Sequence, residues 1–170
     1  MRQKILLAAL FAAAALPALS QDSRPTPSGL PVPRWVSLKF DRVNARAGPG
    51  DDHRLLWVYR VKNLPVQVVQ ETVDWRRVCD PDAGLSWVHK RTTDGRRTVM
   101  NLRVDRMPLS AEPGEGARTK AYWTKRSLGQ LDECRGSWCR VKVDGVTGWA
   151  PRHRTWGVQE AAVCGSRTRR

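Results

Sequence analysis

DRVNARAGPG, residues 41–50, returns 64 positions later as DRMPLSAEPG, residues 105–114, and this recurrence decides the fold. Working outward, Val68 falls on Leu131, Trp75 on Trp138 and Val78 on Val141 at an offset of 63, and Trp87 falls on Trp149 at 62. Each loss of one marks a shortened turn. Fixed order with small deletions confined to Gly/Asp-rich stretches is the mark of two diverged copies of one supersecondary unit. The chain therefore reads as two small domains, 35–96 and 97–158, and not as one large core.

Residues 1–20 carry Arg2 and Lys4, an apolar run over 5–16, and the small residues Ala18 and Ser20 ahead of Gln21. This is the pattern of a cleaved export signal. A membrane-spanning helix needs about 20 apolar residues, and Pro17 interrupts this run. No cysteine follows the cut to take a lipid. The expected mature chain begins at Gln21 and is exported, periplasmic and free of any membrane span.

Loss of Arg2 and Lys4 takes the formal charge from +14 to +12. In a cytosolic protein such a balance would point to nucleic acid, because phosphate neutralisation dominates those affinities. Export makes that partner unexpected and leaves peptidoglycan or other anionic envelope components, or a periplasmic protein partner. Arg outnumbers Lys by 23 to 7; this suits bidentate carboxylate contacts but equally follows from compositional bias.

Residues 21–34 hold four prolines and little to bury, so a Pro-rich linker is expected there. From Trp35 onward the apolar residues fall in short Val- and Trp-rich runs broken by Gly, Pro, Asn and Asp: 35–38, 55–61, 64–69, 73–78 and 85–88. The second copy continues with 102–104, 121–124, 128–131, 138–143 and 148–150. These are strand lengths and strand compositions. The fold class is all-β, two small domains in tandem, followed by a basic C-terminal tail over 159–170.

The motifs VNARAGPG, KNLPVQVV, DWRRV and SWV of the first copy, with MPLSAEPG and SWCRVKVDGVTGWAP of the second, resemble the bacterial SH3-like repeat. That family's pattern runs N-x-R-x-G-P-G, then K-G-x-x-V-x-V, G-W-x-x-V and G-W-V strands. Copy one keeps Asn44, Arg46, Gly48, Pro49 and Gly50; copy two has Pro108, Ser110 and Glu112 at the first three of these places. A ligand contact built on this loop would survive in the first domain only. The resemblance implies a strongly bent barrel of five to seven strands per copy. Units of about 60 residues are marginal alone, so the two are expected to pack together, with Trp57, Trp123 and the 100–102 region as candidate contacts.

Four cysteines in an exported chain imply disulfides. Cys134 and Cys139 flank a tetrapeptide within what the repeat makes a hairpin, which brings cross-strand Cβ atoms into bonding range. Cys79 and Cys164 are left to each other, clipping the tail onto the first domain. A metal site would need a second close pair of Cys or His, and none completes the set. The sequence calls for no metal and no cofactor.

Repeats of this kind accompany cell-wall peptidases, so a Cys/His hydrolase is the enzyme to look for. His53, His89 and His153 are scattered and every cysteine has a structural use. Residues 84–88, GLSWV, lack the second glycine of a nucleophile elbow. No catalytic residues are assigned, and a non-enzyme is expected.

Strand alternation sets Trp75 and Arg77 on one face in copy one, and Trp138, Arg140 and Lys142 on one face in copy two. The resemblance makes Trp75 and Trp138 the groove tryptophans of SH3-type peptide binders and Pro151 their groove proline, with His89 near that place in copy one. The candidate groove residues are Asn44, Arg46, Trp75, Arg77, Trp138, Arg140 and Pro151. Trp87 and Trp149 read as plugs of the barrel ends. For Trp75 and Trp138 the sequence leaves groove and plug both open. The expected function is recognition of envelope peptides, peptidoglycan stem peptides among them, with docking to an envelope protein as the alternative.

Overall fold

The computed structural model describes residues 26–164, so the expected signal peptide and its cut before Gln21 lie outside the described residues. Two antiparallel seven-stranded sheets follow one another along the chain. The first comprises β1 (Arg34–Leu38), β2 (Val43–Arg46), β3 (Leu55–Tyr59), β4 (Pro65–Glu71), β5 (Trp75–Cys79), β6 (Leu85–His89) and β7 (Thr93–Asp94). The second comprises β8 (Thr98–Asn101), β9 (Arg106–Ser110), β10 (Thr119–Thr124), β11 (Leu128–Arg135), β12 (Trp138–Val143), β13 (Val146–Pro151) and β14 (Thr155–Trp156). Their spatial orders, β3-β2-β6-β5-β4-β1-β7 and β10-β9-β13-β12-β11-β8-β14, are the same order repeated. The described helical residues form only two single 3-10 turns, Lys90–Thr92 and Arg152–Arg154, at matching places.

Register reproduces the sequence offsets. Arg46 pairs with Trp87 as Ser110 pairs with Trp149, and Val68 pairs with Val78 as Leu131 pairs with Val141. Alternate residues of β2 and β12 enter the core, as a half-buried strand demands, whereas β1, β4 and β8 are buried along most of their length. Val43 and Ala45 are buried in β2, and their counterparts Met107 and Leu109 are buried in β9. One apolar cluster centres on Leu38, Val66, Val68, Val78 and Val88; the other centres on Met107, Leu109, Trp123, Val141 and Ala150.

One expected strand is displaced. The 102–104 run forms no strand; the first strand of the second sheet is β8, beginning at Thr98. Asn101 is the cause. Its carboxamide donates to the carbonyls of Val104 (2.7 Å) and Trp123 (2.8 Å), and its oxygen accepts from the amides of Arg103 and Val104. A buried Asn that satisfies three backbone groups in a local turn, and a fourth on β10, takes that segment out of the ladder.

The two units meet through Met100 and Trp156, which join the first apolar cluster, with Leu102 and Leu128 packed against it. Of the expected contacts, the 100–102 region is at the junction but Trp123 is not. Trp123 is wholly buried in the second core, where its indole N–H donates to the Ser127 carbonyl at 3.1 Å. Trp57 packs on the first core, edge to face on Tyr59. Polar contacts sew the junction: Thr98 Oγ1 donates to the Asn63 carbonyl at 2.7 Å, and Arg126 makes a two-pronged ion pair with Asp82.

Both flanking segments are tied down where described. On the N-terminal side, residues expected to be a free linker dock on the first sheet: Val32 packs on the core, and Ser28 and Arg34 bind the buried Glu71 carboxylate. On the C-terminal side, residues 159–164 cross back onto the first sheet. The buried Gln67 side chain donates to the Ala161 carbonyl and accepts from the Val163 amide, both at 2.9 Å. Cys164 is then bonded to Cys79, with Cα atoms 5.8 Å apart, and Cys134 is bonded to Cys139 directly across the β11/β12 ladder.

Candidate functional site

Each unit has a groove beside the 3-10 turn, where the strand opened by a tryptophan meets the end of the following strand. Trp75 is the register partner of His89, and Trp138 is the register partner of Pro151. His89 and Pro151 therefore stand at the same place in the two copies. All four residues are half-buried. Neither Trp75 nor Trp138 belongs to an apolar cluster, which places them on the groove side of the sheet and not in the barrel core.

The first groove, of about 270 Å³, brings together Asn44, Arg46, Trp75 and His89 with Asp51. The Trp75 and His89 rings meet edge to face at 5.3 Å. His89 Nδ1 accepts from the Arg91 amide at 3.1 Å, which fixes the ring at the start of its turn. Arg46 is not free to reach a ligand: its guanidinium donates to the His53 carbonyl at 2.9 Å and pairs with Asp51 at 3.2 Å. Gly48 explains the loop's composition, because a Cβ there would come within 2.6 Å of the His53 ring. The loop closes over its own arginine, and the groove is narrow.

The second groove, of about 680 Å³, is lined by Trp138, Pro151, Pro108, Ser110, Glu115 and Arg154, among others. The sequence motifs assign a loop-built ligand contact to the first domain, whereas the larger groove is in the second. The departures of copy two at the loop do not close the groove: Ser110 lines it in the place of Arg46, whose guanidinium lines the first groove. Trp138 and Pro151 then line an open trough.

Two expected groove residues lie elsewhere. Arg140 shares a sheet face with Trp138, but two positions along a strand is about 6.6 Å. That step takes Arg140 into a separate hollow of about 330 Å³ with Lys120, Arg135 and Trp149. There it pairs with Asp132 at 3.3 Å. Arg77 is in the lining of neither groove; it sits in register between Gln70 and Trp87. Trp87 and Trp149 are buried, yet they too lie outside both apolar clusters, and the Arg135 guanidinium stands over the Trp149 ring at 5.4 Å.

Sequence reasoning did not single out Glu115, Arg154 or Ser137 of the second groove, or Asp51 of the first. The repeat offset could have found Arg154, since at 62 it falls on Thr92, which lines the first groove. Among the described residues no group of three His, Cys, Asp or Glu stands close enough to hold a metal, and no helix is long and apolar enough to cross a membrane.

A model of the family described as bacterial SH3 domain matches residues 39–95 and 103–157, together more than half of the chain. No curated protein matches it. Among solved structures, NlpC2 from Trichomonas vaginalis is similar at 12% identity over 73% of this chain and 48% of its own, with a TM-score of 0.34. NlpC1 from the same organism is similar at 13% identity over 81% and 50%, with a TM-score of 0.33. The chain spans about half the length of these structures.

Proposed function

The chain belongs to the bacterial SH3 domain family, and from that membership we propose that it is an exported, non-catalytic binding protein that recognises peptidoglycan stem peptides through the groove of its second domain. The observation that carries this reading is the pair formed by Trp138 and Pro151. They are direct cross-strand neighbours, both half-buried, in a trough that Ser110 also lines. An indole beside a proline offers a flat apolar floor with a polar edge, which suits an extended, half-wet peptide. The first groove, narrowed by Arg46, is a secondary site in which Asn44, Trp75 and His89 could hold only a smaller group.

Two further observations support the non-catalytic and exported parts. All four cysteines are in disulfides, so no thiolate is left to act as a nucleophile. Paired cysteines also fit an oxidising compartment.

Co-sedimentation with purified peptidoglycan sacculi over a range of salt tests the proposal. Groove binding should persist above physiological ionic strength, where adsorption of a strongly basic surface is screened away. A signal that vanishes there would leave adsorption alone and refute the proposed recognition.

A further inference from the structure

The second groove does not end at its own domain. Ser137, His153 and Arg154 line it on one side and, on the other, line a larger hollow of about 860 Å³ between the two domains. Those three residues form a shared sill. The far wall of the interdomain hollow is the C-terminal segment, including Glu160, Ala161 and Val163, held on the first domain by Gln67 and by the Cys79–Cys164 bond.

Charge along this path is not uniform. Arg152 is satisfied within the protein, donating to the Val158 carbonyl and pairing with Glu160. Arg103, in the hollow, and Arg154, on the sill, are exposed, and neither guanidinium has a hydrogen-bond or ion-pair partner among the described residues. Glu115 lies in the domain-two groove. One unengaged cation at the crossing from groove to hollow and a second in the hollow are matched by an anionic ligand group, and a planar guanidinium takes a carboxylate in two parallel hydrogen bonds.

We propose that the domain-two groove and the interdomain hollow are one continuous track for a carboxylate-bearing stem peptide, with Trp138 and Pro151 taking its backbone and Arg154 and Arg103 its free carboxylate. This rests on the reading of the domain-two groove given above. It adds that both domains are needed to build the site, because the far wall is a strap anchored on the first domain.

The test uses sacculi in native form and after carbodiimide amidation of their free carboxylates, with the full mature chain above physiological salt, where adsorption of the basic surface is screened. Wild type should bind amidated sacculi about tenfold more weakly, the scale of one lost charge-assisted hydrogen-bond pair. Arg103→Ala with Arg154→Ala should bind both forms equally, near the wild-type level on amidated sacculi. Both side chains are exposed and unpaired, so folding should survive the change. Arg60→Ala with Lys62→Ala removes the same charge from an exposed turn of the first domain and should keep the preference for the native form. If the Arg103/Arg154 variant keeps the native preference while Trp138→Ala abolishes binding, the track is overturned and the groove stands. If Trp138→Ala binds as wild type, or wild type binds neither form, both readings fall.

Discussion

The indole rings of Trp35 and Trp156 meet edge to face at 4.9 Å, one from each domain. The Trp156 N–H crosses to the first unit, donating to the Pro65 carbonyl at 2.8 Å, and the Trp35 N–H donates to the Gln159 carbonyl, at the start of the C-terminal strap, at 2.7 Å. Aromatic packing and the Trp156 donor hold the two sheets as neighbours. Trp156→Ala should therefore destabilise the protein by about 3–5 kcal/mol, the scale of a buried Trp truncation, as read by denaturant unfolding. A loss below about 1 kcal/mol would mean the domains do not depend on this contact.

Tyr59 and Asp80 form a second test. Burial pushes the Tyr59 hydroxyl up, well above the usual phenol range, and it donates to Asp80 Oδ2 at 2.9 Å. The other Asp80 oxygen accepts the amides of Asp82 and Gly84, closing the β5–β6 turn beside Cys79. Tyr59→Phe keeps the packing and strips one donor from a buried carboxylate, so stability should fall by about 1–3 kcal/mol.

Glu71 gives a pH signature. Burial opposes its ionisation, but hydrogen bonds from Arg34 and Ser28 outweigh this and hold the carboxyl at about 2, against 4.5 unperturbed. A carboxylate whose folded pKa is depressed contributes stability that is complete above the unfolded value and is lost as pH falls through 4.5 toward 2. Wild type should lose stability over that window, and Glu71→Gln should be less stable at neutral pH but flatter below it. Parallel pH profiles for the two proteins would contradict the assignment.

The two disulfides should differ in weight. Cys134–Cys139 closes a separation of 5 residues and Cys79–Cys164 one of 85. In the chain-entropy model these contribute about 2 and about 4.5 kcal/mol. Cys79→Ser with Cys164→Ser should therefore lower stability more than the Cys134/Cys139 double variant. The reverse order would show that the C-terminal strap contributes little.

Most of the fold was legible because its signals are local or periodic. The repeat offsets of 64, 63 and 62 reappear as ladder register, and the alternation in residues 138–143 reappears as Cys139, Val141 and Val143 buried between exposed Arg140 and Lys142. What was misread depends on single side chains acting at a distance. Asn101 took residues 102–104 out of the sheet, Trp123 turned inward to its own core, and Glu71 captured the segment expected to be a free linker. In the grooves, alternation correctly set Trp138 and Arg140 on one face but says nothing of distance along it, so Arg140 was misplaced. The motif match favoured copy one, whereas the larger groove lies in copy two, where Ser110 stands in the place of Arg46, a difference of volume that no motif records.

Binding of Trp138→Ala to purified sacculi above physiological salt, alongside its unfolding curve, tests the central claim most directly. A half-buried groove residue outside the core should lose about 2 kcal/mol or more of binding on truncation while the protein stays folded. Pro151→Ala should act in the same direction. Undiminished binding by folded Trp138→Ala, or a binding loss accounted for by unfolding alone, would contradict the claim that this groove is the recognition site.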